Sequence, residues 1–285
     1  MSAPPLRTPP EATAPSASTT ATRTRAAQDR PATVRGCAPD AAFGAGSGEP
    51  YVRLLTGQDL MPGLWLRGAD GTSHRLDAGS WIGPAGEADL AVLDRASGPV
   101  LDVGCGPGRM LHAAALRSLP ALGIDIALGA VARARVLGGL ALHRSVFDRL
   151  PLEGRWRCVL LLDGNIGIGG DPTALLRRCA ELLAADGAIL VEVDAEPDLV
   201  VLGECTVHDD DGRESAPFPW ARVGWSAIHG LAAAAGLAVA EHWDAAGRHF
   251  VCVVPSARRT AVRETRNAIA ATAASTSQMT PSARP

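Results

Sequence analysis

Asp102, Gly104, Gly106 and Gly108 are the residues with the clearest chemical purpose in this 285-residue chain. The apolar run Pro99-Val100-Leu101 leads into Asp102-Val103-Gly104-Cys105-Gly106-Pro107-Gly108, and helix-compatible sequence starts at Arg109. Such a pattern is a strand, a tight turn and a helix N-terminus. Glycines tolerate positive φ and let a ligand lie against bare backbone. The first N–H groups of a new helix have no intrahelical partner and favour a carboxylate or phosphate. A nucleotide-like cofactor at the end of the first strand of an α/β sheet is the chemistry this implies.

Spacing narrows the cofactor. A dinucleotide fingerprint, G-x-G-x-x-G, needs a third glycine at position 109 or 111; those positions are Arg109 and Leu111. A phosphate-binding P-loop needs Gly-Lys-Ser/Thr, and the chain has no lysine. The pattern present, Asp-x-Gly-x-Gly-x-Gly, resembles motif I of the class I S-adenosylmethionine-dependent methyltransferases. The resemblance implies that Asp102, Gly104, Cys105, Gly106 and Gly108 meet the amino-acid end of S-adenosylmethionine. Main-chain N–H groups would then serve its carboxylate, and Asp102 its ammonium. Asp125 follows seventeen residues after Gly108. A carboxylate there can accept hydrogen bonds from two ribose hydroxyls, with Ile126 beside it. The turn Ser145-Val146-Phe147-Asp148 falls where the family meets adenine. Val146 and Phe147 would pack on the ring and Ser145 or Asp148 would bond its exocyclic amine.

The second informative stretch is Asp163-Gly164-Asn165-Ile166-Gly167-Ile168-Gly169-Gly170-Asp171-Pro172. Its four glycines permit close backbone approach, and Asp171 is placed to cap the next helix. In the resembled family this loop borders the sulfonium and the methyl acceptor, so Asp163 and Asn165 are the candidates for facing the reaction centre. Asp163 is also a candidate cofactor contact. The (Asp/Asn)-Pro-Pro-Tyr signature used for planar amines is absent. Methyl transfer is an in-line displacement, and positioning alone can supply roughly 7–11 kcal/mol of its barrier. A general base is needed only for a protonated acceptor; Glu192, Asp194, His208, Glu214 and His242 are the further candidates. Phe218-Pro219-Trp220 reads as a lid segment, and Trp65 or Trp81 as a roof or as packing.

These residues need a scaffold, and the chain alternates strand and helix from residue 99. Strands are expected at Val100–Val103, Ala121–Asp125, Leu140–Arg144, Cys158–Leu162 and Ala188–Val193. Helices are expected at Arg109–Leu119, Leu128–Leu137 and Pro172–Ala185, the last closed by Asp186-Gly187. A further helix spans Ser226–Ala235, and two strands, Leu237–Trp243 and Phe250–Val254, follow it. Continuous apolar strands predict a parallel sheet covered on both faces. With the terminal antiparallel pair, which resembles the last hairpin of the same family, the expected fold class is an α/β three-layer sandwich. Its sheet is mainly parallel and seven-stranded, with small β-hairpin additions at residues 64–76 and 205–222 and a helix at 84–93.

Composition sets the boundaries. Residues 1–46, rich in Ala, Pro, Thr, Ser and Arg, read as a disordered tail, with a transit peptide as the alternative. Residues 47–255 read as the domain and 256–285 as a polar or partly helical tail. The termini carry charge: +3 over residues 1–36 and +4 over 256–285, against −10 for the body between. An acidic body repels phosphate backbones, which points to a small-molecule acceptor over nucleic acid. The six cysteines form no C-x-x-C pair and read as reduced, and no residue is assigned to a metal. No apolar run reaches membrane-spanning length, so the expected location is cytoplasmic. The rival functions are a dinucleotide-dependent oxidoreductase and a non-catalytic protein that binds S-adenosylmethionine.

Overall fold

In the computed structural model, residues 42–45, 50–56 and 63–257 are described. The expected tails lie almost wholly outside them. The chain order begins with helix α1 (Pro50–Thr56), strands β1 (Leu64–Gly68) and β2 (Ser73–Leu76), and helices α2 (Ala78–Ile82) and α3 (Glu87–Leu93). The alternating core follows: β3 (Val100–Val103), α4 (Arg109–Leu116), β4 (Ala121–Asp125), α5 (Leu128–Val136), β5 (Ala141–His143) and β6 (Trp156–Leu161). A 3-10 turn over Asn165–Gly170 leads to α6 (Pro172–Leu182) and β7 (Leu183–Val193). The last elements are β8 (Val200–Asp209), β9 (Phe218–Val223), α7 (Ile228–Ala234), β10 (Leu237–Ala245) and β11 (Arg248–Pro255).

Seven strands form one sheet in the order β10-β11-β7-β6-β3-β4-β5. The five from β7 to β5 are parallel, and β11 joins β7 antiparallel. Alternate side chains of each strand fall on opposite faces, and both faces are covered. Leu101, Val103, Val159, Leu161 and Val191 pack with Leu175, Leu176 and Cys179 of α6 and Ile228 of α7. Val100, Cys158, Leu160 and Phe250 pack with Val92 of α3 and Met110 of α4. The expected three-layer α/β sandwich is the fold found.

Two sequence readings are corrected. The helix expected to run to Ala185 stops at Leu182, and Asp186 and Gly187 lie inside β7 rather than closing the helix. Leu183 is buried and pairs with Trp156 of β6, and the Arg157–Asp186 ion pair at 2.7 Å extends the contact. Tertiary pairing overrides the Asp-Gly stop signal. The two small hairpins are also not separate additions. β1 pairs with β8, giving one four-stranded antiparallel sheet in the order β2-β1-β8-β9.

That second sheet sits against the carboxyl end of β6. A Cβ on Gly167 would lie 2.2 Å from the Ala221 carbonyl oxygen and 2.7 Å from the Trp220 ring, and one on Gly170 would lie 2.9 Å from Pro219. The glycine-rich loop is therefore bare so that β9 can approach it. Cys105, Cys158, Cys179 and Cys205 are free thiols.

Candidate functional site

The bend after β3 takes the left-handed backbone its glycines allow, with φ +69° at Gly104, +53° at Gly106 and +93° at Gly108. Its amides are largely committed. Gly104 and Cys105 N–H donate to the Ile124 carbonyl at 2.8 and 3.0 Å, and Gly108 N–H to Cys105. Gly106 N–H donates to Asp125 Oδ2 at 2.9 Å. The donors that remain for an anion are those of the first turn of α4, from Arg109 to Leu111, which no helix can satisfy internally.

Asp125 ends β4 and faces the bend. Its second oxygen, Oδ1, accepts from Ala127 N–H at 2.8 Å. Each oxygen keeps a lone pair for a further donor. Burial pushes its carboxyl up from the ordinary range, opposed by the Ala127 and Gly106 N–H bonds. Asp102, one strand away, is more extreme. It is 3% exposed, and its Oδ2 is buried with no hydrogen-bond partner. Burial pushes its carboxyl up to about 7, with the Arg109 guanidinium only partly offsetting this. A buried, unpartnered carboxylate oxygen is costly unless a donor arrives.

Asp163 and Asn165 both lie beside the bend, each already occupied. Asn165 Nδ2 donates to the carbonyls of Val103 at 2.8 Å and Gly104 at 3.1 Å, so it ties the 3-10 turn to the bend. Asp163, at φ +55°, is gripped by two guanidiniums. Arg109 reaches it through Nη1 and Nη2, both at 2.9 Å, while its Nε and Nη2 hold Asp89 at 3.0 Å. Arg248 reaches Asp163 at 3.1 Å, Asp89 at 2.9 Å and Glu192 at 2.7 Å. Glu192 also accepts the Asp163 N–H at 2.6 Å. Three acids and two arginines thus form one network under the crevice. Burial acts against the charge on Asp89, but the Arg109 fork outweighs it and holds that carboxyl below the usual range. Asp163 is raised, because burial outweighs Arg109.

A Cβ on Gly104 would lie 2.6 Å from Asn165 Nδ2, in a backbone conformation L side chains resist. Gly104→Ala is therefore expected to cost about 2 kcal/mol, read as a fall of roughly 5 °C in melting temperature. An unchanged melting temperature would show that the Asn165 tie is dispensable.

On the other flank, Val146 is buried and Phe147 is half exposed. Ser145 and Asp148 are spent inside their own turn: Ser145 Oγ accepts from Phe147 N–H at 3.2 Å, and Asp148 Oδ2 from Ser145 N–H at 3.0 Å. Arg178 of α6 clamps that turn through the carbonyls of Val146 and Asp148. The Phe147 ring reaches across to Gly169, where a Cβ would lie 3.1 Å away. Ile126 is held through its carbonyl, 2.8 Å from His143 Nε2.

Sequence reasoning missed Asp89, Arg109, Arg248 and Tyr51. Tyr51 of α1 is buried, and its hydroxyl stands 3.3 Å from where a Gly106 Cβ would be. Burial and the nearby Asp125 push its phenol up. Its ring packs with Phe43 and Trp81 at 5.0 and 5.8 Å, and Phe43 packs with Phe218 and Trp220 at 5.7 Å each. Phe43, the single aromatic of residues 1–46, falls in the segment expected as a tail. Trp65 is elsewhere, bonded to Asp210 at 3.0 Å and stacked on His208. Asp171 caps α6 through the Ala174 N–H. Asp194 is held by Arg222, and Glu214 by Thr206 at 2.6 Å.

A family model described as a methyltransferase domain matches residues 85–255. No curated protein sequence matches the chain. Among solved structures, a SAM-dependent methyltransferase from Bacteroides fragilis, in complex with S-adenosyl-L-homocysteine, aligns at a TM-score of 0.60 and 19% identity. The alignment covers 72% of this chain and 92% of that one. The CcbJ methyltransferase from Streptomyces caelestis aligns at a TM-score of 0.46 and 16% identity, covering 61% and 92%.

Proposed function

This chain belongs to the methyltransferase-domain family, and we propose that it moves the methyl group of S-adenosylmethionine to a small-molecule acceptor. The observation that carries the reading is the buried, unpartnered Oδ2 of Asp102 at the end of β3, with Asp125 ending the adjacent strand β4. The first is suited to an ammonium group and the second to a diol, and the two ends of S-adenosylmethionine offer those groups. The cofactor supplies an electrophilic methyl on a sulfonium. The first-turn amides of α4 would meet its carboxylate, and Val146 and Phe147 its adenine. A dinucleotide oxidoreductase is set aside by the family match.

Asp163 and Asn165 support the reaction by position. Asn165 holds the bend through its two carbonyl contacts. Asp163, Glu192 and Asp194 are all committed to arginines, so this site works by orienting its reactants, and positioning can carry such a displacement. The carboxyl edge is roofed by β9 and by the Phe43, Tyr51, Trp81, Phe218 and Trp220 rings, which suits a small acceptor over a polymer. The acidic body supports the same choice. No helix among the described residues is long and apolar enough to cross a membrane; a cytoplasmic location is part of this proposal.

Asp125→Ala is expected to weaken S-adenosylmethionine binding by about 2 kcal/mol, roughly thirtyfold, since two charge-assisted hydrogen bonds are lost. Calorimetry on the folded variant checks this. Unchanged affinity would remove the ribose assignment and the reading with it.

A further inference from the structure

We propose that His242, Asp244 and His249, on the hairpin of β10 and β11, form a binding site for a late first-row divalent cation of the zinc class. In the antiparallel pairing, Asp244 stands directly opposite His249, and His242 lies two residues back on the same face. One ligand atom from each residue lies within 4.8 Å of the others. Asp244 Oδ1 is 2.5 Å from His249 Nδ1 and 3.6 Å from His242 Nε2.

A plain histidine–aspartate hydrogen bond accounts for only part of this arrangement. His249 Nδ1 is buried and in close contact with Asp244 Oδ1. His242 is too far from Asp244 for a hydrogen bond but is placed for a shared ion. The imidazoles are also held in place: His242 stacks on Trp225 at 4.9 Å with planes 8° apart, and the two histidine rings are 6.0 Å apart at 22°. Pre-oriented rings reduce the ordering cost of coordination. The Asp244 side chain is 61% exposed, so solvent can complete the coordination sphere. Two imidazoles and one carboxylate suit zinc, cobalt or nickel rather than magnesium or calcium, which prefer all-oxygen sets.

The placement gives the ion a structural consequence. The preceding residue of β11, Arg248, sends its side chain to the opposite face and holds Asp89, Asp163 and Glu192. An ion bridging β10 and β11 at this point fastens the turn that delivers Arg248.

The test uses the full chain stripped with chelator and titrated with Co(II) alone, then Zn(II) alone. The expected result is one Co(II) per chain with visible d–d absorption that zinc displaces. Zinc at about a hundredfold excess over its Kd should raise the melting temperature by roughly 5 °C. His249→Ala, His242→Ala and Asp244→Asn should each weaken cobalt binding by roughly tenfold or more and abolish the thermal shift. Asp244→Asn keeps side-chain shape, so it decides the matter if a histidine variant fails to fold by circular dichroism. No cobalt absorption, or variants that bind as the parent does, would overturn the site. Neither outcome bears on S-adenosylmethionine binding, which is measured separately.

Discussion

Arg109→Met is expected to lower the stability of the chain by about 4 kcal/mol, to be read as a shift of the urea midpoint at constant m-value. Arg109 is the first residue of α4, and its side chain is 5% exposed. It makes forked contacts with both Asp89 and Asp163. Methionine fills much of the same volume but leaves two carboxylates facing each other with Arg248 as their remaining cation in the network. Removing one partner of a buried ion pair costs about 3–5 kcal/mol, because the other charge stays desolvated. Solvent screening does little to soften this at such burial. A domain with a typical stability of about 5–15 kcal/mol loses a large fraction of it. Asp89→Asn in the Arg109→Met background should recover part of the loss, since one uncompensated charge is then gone. A cost below about 1 kcal/mol, or no recovery in the double variant, would mean that water rather than Arg109 solvates these acids.

How the sequence anticipates this site depends on how local each signal is. β3 and β4 match the expected bounds to the residue, because short apolar runs end at Gly104 and at Asp125. The bend was legible because its chemistry, three glycines on alternate positions, lies within five residues. Asp125 was legible because one crossover fixes its distance from the bend. The ion network was not: Arg109 meets Asp89 across 20 residues and Asp163 across 54, and Arg248 meets Asp89 across 159. No single segment carries a pattern for it. Tyr51 was lost for the same reason, since its helix is short and its partners are far along the chain. The four-stranded sheet was half legible. Each hairpin has local turn signals, but the pairing of β1 with β8 joins Leu64 to Asp209. The glycine-rich loop shows a subtler limit. Its glycines do mark a close approach, but the approaching group is β9 rather than a ligand alone.

Asp102 is where stability and binding oppose each other, and Asp102→Asn separates them. In the folded chain its carboxyl titrates at about 7; in the unfolded chain it titrates near the ordinary value of about 3.9. Between those two values the folded protein holds a proton that the unfolded chain has released. Stability therefore falls as pH rises through this window, and the loss is complete above about pH 7. Raising a carboxyl that far on folding corresponds to roughly 4 kcal/mol. Asparagine carries no such charge, so the cofactor-free variant should be more stable than the parent at about pH 8, by several degrees in melting temperature, and nearly equal to it at about pH 3, below the unfolded-chain value. Binding should move the other way. An ammonium partner needs the carboxylate, so parent affinity for S-adenosylmethionine should weaken roughly tenfold per pH unit below about 7. The variant should bind weakly and with little pH dependence. Should Asp102→Asn leave the melting temperature in mild alkali unmoved and the affinity intact, the buried oxygen is not what waits for the ammonium, and the amino-acid end of the cofactor must be held by the α4 amides alone.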